Sequence, residues 1–229
     1  MLSSDGIEPY LIDGRIYLPL RAIAEQMGTP VLWVPGSNSV YIGDLSQSPN
    51  PLLRYLSTDA LTPPLAEIKP EHFIPALEYA MAVERQAIED IVHNPETPSF
   101  ANTTEPLERL DMSEEIANIM FAINYAANTD ALQKVTEEAA VLLSNHEKDI
   151  FFNKALFERV VRVYRAETQN LTPEQLKLLE DYYQEFIDNG IGLTAGQQAR
   201  LRQIDGRLET LFSQFAANLL KDASAAYLL

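Results

Sequence analysis

Two hydrophobic patterns divide this chain near residue 46. Before that point, apolar residues come in short runs bounded by turn residues, which is typical of strands. After residue 70, apolar residues recur every three or four positions, which is typical of amphipathic helices. The patterns predict a mainly α-helical protein with a small α+β module of βαββ type at its N-terminus.

The first 46 residues carry strand signals around one short helix. Asp13-Gly14 and the stretch 35–38 are turn signals, and Gly28 stands where a helix should end. We predict strands over 10–12 and 16–18, a helix over 20–27, and strands over 31–34 and 39–42. A polar, proline-containing linker is expected over 44–52, so we place the boundary between two domains after residue 46.

The remaining residues, 47–229, read as a series of helices. Thr172-Pro173 followed by Gln175 is a strong helix start, and Thr194 with Gln197 repeats it. We predict helices over 71–92, 103–110, 113–127, 130–151, 154–165, 173–189 and 195–223. The segment over 113–127 either continues the helix over 103–110 or begins a new one. Apolar residues form a packing seam on the last helix that has to bury against another surface: Leu201, Ile204, Leu208, Leu211 and Phe215.

Composition excludes several classes of function. With 17 basic and 33 acidic residues, the formal net charge is −16, which disfavours nucleic acid and anionic membrane surfaces as partners. The charge permits attraction of cationic peptides, although it also serves solubility. No cysteine is present, so disulfides and thiolate zinc sites are excluded. No apolar run reaches the ~20 residues of a membrane-spanning helix, and the first residues show no signal peptide.

The histidines do not predict a metal site. A zincin motif needs histidines at i and i+4 of one helix, but Ile150 occupies the i+4 position after His146. We therefore expect His146 at a helix surface or with its polar side outward. His72, in a first helical turn, and His93, at a helix end, are expected to cap or to lie at the surface.

Other candidate motifs have structural interpretations. The glycines of residues 190–193 indicate a helix end, and aromatic residues at 164, 182, 183 and 186 indicate packing between helices rather than a peptide-facing wall. Adjacent carboxylates at 114–115, 137–138 and 180–181 diverge around a helix and suit solvent. We predict no catalytic and no metal-ligating residue, and the sequence identifies no substrate-binding residue.

The N-terminal module has a characteristic set of residues at 13–15, 18–24, 27–28, 31, 33 and 39–42. Through these residues, the stretch 7–43 resembles the copper amine oxidase N-terminal-like domain. It implies a non-catalytic module of bacterial envelope and secreted proteins. Residues 1–71 contain no histidine, so no copper ligand set is expected there.

A second set of characteristic segments follows in the helical part of the chain, at 50–53, 68–76, 94–103, 128–129, 153–160, 171–179, 186–193 and 212–220. In content and order, these segments resemble the N-terminal part of the thimet-oligopeptidase-like zinc metallopeptidases, in the oligopeptidase A and peptidyl-dipeptidase branch. The resemblance implies a helical peptidase with a deep channel, in which zinc held by a His-Glu-x-x-His helix and a downstream Glu cleaves short peptides. That motif is absent here, so this chain should form part of the channel wall and be inactive without the C-terminal catalytic region.

Two questions stay open at this point. The peptidase resemblance implies a bacterial cytoplasmic protein, whereas the N-terminal module implies the cell envelope or secretion.

The chain could also be a free-standing, non-catalytic module that binds peptides or envelope partners. A part of a larger peptidase should expose apolar surface and associate, whereas a free-standing module should unfold sharply as a monomer. An intact enzyme within these residues would cleave a short peptide in a zinc-dependent way.

Overall fold

A computed structural model describes residues 10–13, 15–17, 20–58, 60–167 and 170–226 of the chain. The chain divides into two compact units, one ending at Ile68 and the other starting at Lys69. The predicted boundary after residue 46 stays a prediction.

The first unit begins with the strands and helix of the predicted α+β module. Its elements are β1 (Tyr10–Ile12), β2 (Arg15–Tyr17), α1 (Leu20–Gln26), β3 (Val31–Val34) and β4 (Ser39–Ile42). Both strand pairs are antiparallel, with Leu11 opposite Ile16 and Leu32 opposite Tyr41. Gly28 ends α1 with a φ of 70°, as its position predicted. Gly14, Leu18 and Pro19, which the predicted turn, strand and helix start include, lie outside the described residues.

A short helix follows where the sequence indicated a linker. Helix α2 (Pro51–Leu56) is capped by Asn50, whose side-chain oxygen accepts a hydrogen bond from the Leu52 amide at 3.0 Å. Arg54, in its last turn, forms an ion pair with Glu67. Six residues are too few for a helical period to be recognised, although the Asn-Pro start signal was present.

Helices make up the second unit. After a 3₁₀ turn over Pro70–His72 they are α3 (Phe73–His93), α4 (Glu105–Glu108), α5 (Met112–Ala127), α6 (Asp130–Phe151), α7 (Lys154–Glu167), α8 (Pro173–Asp188) and α9 (Ala195–Ala226). The mainly helical fold class is therefore confirmed. Proline at the first position of α8, after the Thr172 cap, agrees with the predicted helix start.

One helix start lies earlier than the sequence suggested. A π-helical turn over Phe100–Thr104 precedes α4, because Ser99 and Asn102 cap each other through side-chain oxygens and backbone amides. The buried Arg159 of α7 fixes this connector by donating hydrogen bonds to the Asn94 carbonyl at 2.9 Å and to Asn102 at 3.1 Å.

The aromatic residues of α7 and α8 pack between the helices. Tyr164 and Tyr183 stack at 4.8 Å, and Phe186, fully buried, contacts Phe151 edge-on at 5.1 Å. These contacts join a larger apolar core of α3, α6, α7 and α8. The prediction of inter-helix packing for these residues is confirmed.

Helix α9 runs along α6 but buries its apolar seam incompletely. A salt bridge from Lys148 to Asp205 at 3.0 Å and another from Arg202 to Asp149 at 2.7 Å join the two helices. The outward apolar residues of α9 are from 42% to 64% exposed: Ile204, Leu208, Leu211, Phe212, Phe215 and Leu219. An apolar face of this kind on a helix usually marks a surface that another part of a protein covers.

Candidate functional site

Three polar side chains from three different helices meet in the interior of the second unit. Glu84 of α3, Ser113 of α5 and His146 of α6 are 2%, 8% and 5% exposed, respectively. One Glu84 oxygen accepts a hydrogen bond from the Ser113 amide at 2.7 Å. The other lies 2.8 Å from the Ser113 hydroxyl and 2.6 Å from Nε2 of His146. We call these residues the Glu84 cluster.

Helical periodicity explains why these polar residues are buried. Glu84 follows Leu77 and Met81 by seven and three positions and precedes Ile88 by four, so it lies on the apolar stripe of α3. Ser113 stands one turn before Ile116, on the inward face of α5. A buried carboxylate needs hydrogen-bond donors, and the cluster supplies them from the two neighbouring helices.

The structure corrects the expected position of His146. We predicted this histidine at a helix surface or with its polar side outward, but it lies inside, against Glu84. The prediction was wrong because the acidic partner lies 62 residues earlier in the chain. Because the carboxylate of Glu84 accepts hydrogen bonds, Nε2 of His146 carries a proton. Nδ1 of the same ring is buried and has no hydrogen-bond partner within the described part of the chain.

The Glu84 cluster does not have the order of a catalytic triad. In a hydrolase triad the histidine lies between the acid and the serine, so that it removes the proton of the hydroxyl. Here Glu84 lies in the middle, and the hydroxyl of Ser113 points to the carboxylate. The serine is therefore not activated as a nucleophile, and the cluster serves packing and orientation of the imidazole.

A cleft of about 410 Å³ opens beside the cluster. Its walls come from α3, α5, α6 and α9, and His146 lines it together with the carboxylates of Glu114, Glu147 and Glu209. Apolar side chains supply most of the remaining wall: Leu110, Ala117, Phe121, Ala140, Leu143 and Ile150. Asn118 and Ser144 also line the cleft, so its wall is a mixture of polar and apolar side chains.

The face next to this cleft concentrates negative charge. Burial raises the pKa of Tyr182, and its hydroxyl donates a hydrogen bond to Glu108 at 2.8 Å, which raises that pKa further. Partial burial also raises the pKa of the Glu185 carboxyl, and the charges of Glu147, Asp181 and Glu108 add to the effect. The carboxylates of α8 and of the cleft rim are therefore close enough to repel one another electrostatically.

The other residues that the sequence singled out have local structural roles. Nδ1 of His72 accepts a hydrogen bond from the Lys69 amide at 3.1 Å, which caps a helix start. His93 is exposed, with its ring 3.2 Å from a Glu89 carboxylate oxygen. Gly190 ends α8 with a φ of 88°. The predicted capping and surface roles of both histidines and the predicted helix end are confirmed.

The three predicted carboxylate pairs lie on helix surfaces. The acids at 114, 138, 180 and 181 are exposed, and those at 115 and 137 are half-buried. This arrangement agrees with the expectation that neighbouring acids diverge towards solvent and do not form an acid-base pair.

The described residues do not fit the zinc ion that the peptidase resemblance implies. Among them, no three histidine, cysteine, aspartate or glutamate side chains are grouped so that they could hold a metal ion. The nearest arrangement, His146 with Glu84, supplies two groups, and Glu84 is already engaged by both donors of Ser113. Within the same residues, no helix has the length and apolar character to cross a membrane.

Comparison with known proteins gives two separate similarities. A family model described as "Copper amine oxidase N-terminal domain" matches residues 4–46. A dipeptidyl carboxypeptidase of Escherichia coli is 32% identical over 173 residues, which is 75% of this chain and 25% of that protein. The dipeptidyl carboxypeptidase of Salmonella typhimurium is 33% identical over 180 residues, 78% of this chain and 26% of that protein.

Oligopeptidase A of Salmonella typhimurium is 30% identical over 173 residues, again 75% of this chain and 25% of that protein. This chain thus spans about a quarter of the length of these relatives. Three quarters of the chain are therefore homologous to bacterial peptidases of the dipeptidyl carboxypeptidase and oligopeptidase A group, and residues 4–46 match a copper amine oxidase N-terminal domain.

Proposed function

We propose that residues 47–229 form the N-terminal, non-catalytic portion of a zinc metallopeptidase that hydrolyses short peptides, and that they contribute to the wall of its substrate channel. Residues 1–46 form a separate module of the copper amine oxidase N-terminal type. The observation that carries the proposal is the identity of 30% to 33% that extends over three quarters of this chain but a quarter of each relative. In this proposal the zinc ligands and the catalytic groups belong to the other three quarters.

The apolar face of α9 supports the same assignment. Phe212 and Phe215 are 64% and 61% exposed on consecutive turns, with Leu208 and Leu211 beside them. Burying a large apolar side chain contributes about 1.5–3 kcal/mol, so leaving several of them half-exposed is unfavourable. The remainder of a peptidase would supply the surface that covers this face.

The rival is a free-standing module that binds peptides or envelope partners without catalysis. It is favoured by the self-contained core of the second unit, in which Phe73, Leu77, Ile116 and Met120 are fully buried. Under this alternative the 229-residue chain is a monomer with one sharp thermal transition. Under the peptidase assignment it associates through α9 and binds a hydrophobic dye such as ANS.

Hydrolysis assays test the non-catalytic assignment directly. The purified chain is incubated with a short peptide carrying a fluorescence donor and quencher, with and without added zinc. We expect no hydrolysis in either case, because the described residues contain no group of three metal-ligating side chains. Cleavage that a chelator abolishes and zinc restores would overturn the assignment and place a metal site in this chain.

A further inference from the structure

We propose that two copies of the 229-residue chain pair symmetrically through the outward apolar side of α9. Ile204, Leu208, Leu211 and Phe215 form the centre of this contact, and we call them the α9 seam. The pairing goes beyond the proposed function, because it needs neither peptidase activity nor the remainder of a peptidase. In this chain the second copy takes the place that the remainder would take in a complete enzyme.

The side of α9 that faces α6 consists of polar and small residues. Arg202 and Asp205 form salt bridges to α6. About two and three turns further along, Ser213 and Ala217 are half-buried and line a small cavity between α9, α5 and α6. An amphipathic helix normally turns its apolar stripe towards the core, and α9 does the opposite. Its packing on α6 therefore leaves the seam available to a second partner.

The α9 seam has the spacing of a coiled-coil interface. Its residues follow one another by four, three and four positions, the spacing at which two helices pack knobs into holes. The best partner for such a row is a second helix with the same repeat. In the described part of the second unit, the large apolar side chains exposed outside α9 are Phe121, Tyr125 and Ile187, which form no such row. In a second copy, the matching row is therefore its own α9, and the interface is symmetric.

The exposed apolar area is large enough for a specific pair. Six side chains of α9 are from 42% to 64% exposed: Ile204, Leu208, Leu211, Phe212, Phe215 and Leu219. If a fully exposed side chain of this size offers about 200 Å², the six provide on the order of 600 Å² per copy and about 1,200 Å² per pair. Specific interfaces begin at about this size. We therefore expect a dimer with a dissociation constant on the order of 10 μM.

The charge of this side also favours a second copy. Between residues 203 and 219 the one exposed charged side chain is Arg207, although the chain carries 33 acidic residues. Asp205 and Glu209 are half-buried on the α6 side. Two such seams meet without opposing carboxylates. A basic partner would find no carboxylate to pair with on this side, and the remainder of the chain repels an acidic partner, so the neutral seam favours an equally neutral one.

Sedimentation of the 229-residue chain from about 1 μM to about 200 μM tests the pairing. We expect a monomer–dimer equilibrium that stops at the dimer, because a symmetric interface closes on itself. A monomer at all concentrations would overturn the pairing. Association that continues past the dimer would also overturn it, but would leave the peptidase assignment standing. The hydrolysis assay decides that assignment separately, so either proposal can fail alone.

Two matched substitutions locate the contact. L208Q places a polar group in the seam and should weaken the dimer about tenfold. I187Q is the control, because Ile187 on α8 and Leu208 are 44% and 43% exposed, respectively, and both are aliphatic helix residues. It should leave the dissociation constant unchanged, and circular dichroism should show that both variants are folded. Equal weakening by the two variants, or none by L208Q, would overturn the seam as the interface.

Salt dependence distinguishes this contact from one held by ion pairs. Each copy has a net charge of −16, so raising sodium chloride from about 50 mM to about 500 mM screens their repulsion. We expect the dimer to tighten severalfold. Weakening by salt would show that opposite charges hold the contact and would overturn the neutral seam as its basis.

A spin label gives the position of the interface directly. The chain has no cysteine, so the variant Q214C carries a single label, at an exposed position beside the seam. Packed helices have axes about 8–10 Å apart, so the two labels of a dimer should lie within about 30 Å of each other. A dimer in which the labels are further apart would place the contact elsewhere and overturn the proposal.

Discussion

Replacing Glu84 by leucine removes the acceptor that three buried donors share. The Ser113 amide, the Ser113 hydroxyl and Nε2 of His146 lie 2.7, 2.8 and 2.6 Å from its carboxylate oxygens. Each buried donor that loses its partner costs about 1–3 kcal/mol, and breaking a buried charged network typically costs about 3–5 kcal/mol in total. We therefore expect E84L to lower the free energy of unfolding by about 3–5 kcal/mol.

The conservative variant E84Q separates the charge from the hydrogen bonds. Its amide oxygen can still accept the hydrogen bond from the Ser113 amide. Its amide nitrogen takes the place of the other oxygen and can donate to the Ser113 hydroxyl and, after a change of tautomer, to Nε2 of His146. Only the difference between a charged and a neutral acceptor is then lost, which we expect to amount to about 1–2 kcal/mol. The predicted order of stability is wild type, then E84Q, then E84L.

Urea unfolding followed by far-ultraviolet circular dichroism measures these differences. E138L is the matched control, because Glu138 is exposed on α6, and it should change the stability by no more than about 0.5 kcal/mol. A triple variant, E84L with H146L and S113A, removes two of the three donors together with the acceptor and leaves only the backbone amide of residue 113 without its partner, so it should regain part of the loss. If E84L is within about 1 kcal/mol of the wild type, the cluster does not stabilise the fold, and the reasoning from buried hydrogen bonds is wrong.

Three further predictions concern the helix end at residue 190, the acidic face and α9. G190A should lower the free energy of unfolding by about 1–3 kcal/mol, because φ at this position is 88° and the new Cβ would lie 2.6 Å from a Leu193 side-chain carbon. G192A is the control: its new Cβ would have no neighbouring heavy atom within 4 Å, so the urea midpoint should stay unchanged. The pKa of the Glu185 carboxyl is raised in the folded protein, so the folded state favours its protonated form. The stability that this preference gives is present below pH 4.5 and is lost as the pH rises and the carboxyl ionises. E185Q should therefore raise the free energy of unfolding slightly at pH 7, by about 0.5 kcal/mol or less, and should not raise it at pH 4. F212S removes a side chain that is 64% exposed, so it should reduce ANS fluorescence and concentration-dependent sedimentation without destabilising the chain. Unchanged association would show that the chain does not associate through the apolar face of α9.

Much of the helical fold could be predicted because local signals and tertiary packing agree. The Thr172 cap with Pro173, the glycine at 190 and the apolar spacing of α3 each indicate the structure that forms there. Helix α2 escaped prediction because its six residues are shorter than the window in which a helical period is visible.

The Glu84 cluster was only partly accessible from the sequence. An acid in phase with Leu77, Met81 and Ile88 is a visible anomaly on an apolar stripe, so the burial of Glu84 could have been inferred. Its partners could not, because Ser113 and His146 follow it by 29 and 62 residues and only the packing of α3, α5 and α6 brings them together. The same reason explains why His146 was expected at the surface.

The most direct test of the peptidase assignment is the peptidase activity of a chimera. Residues 47–229 of this chain replace the matching quarter of the Escherichia coli dipeptidyl carboxypeptidase, and the same enzyme with that quarter deleted is the control. We measure chelator-sensitive release of dipeptides from a short peptide, together with the circular dichroism and bound zinc of each protein. The account predicts that the chimera is folded, binds zinc and releases dipeptides, whereas the deletion does not. A chimera that folds and binds zinc but is as inactive as the deletion would contradict the claim that this chain is the N-terminal part of such a peptidase.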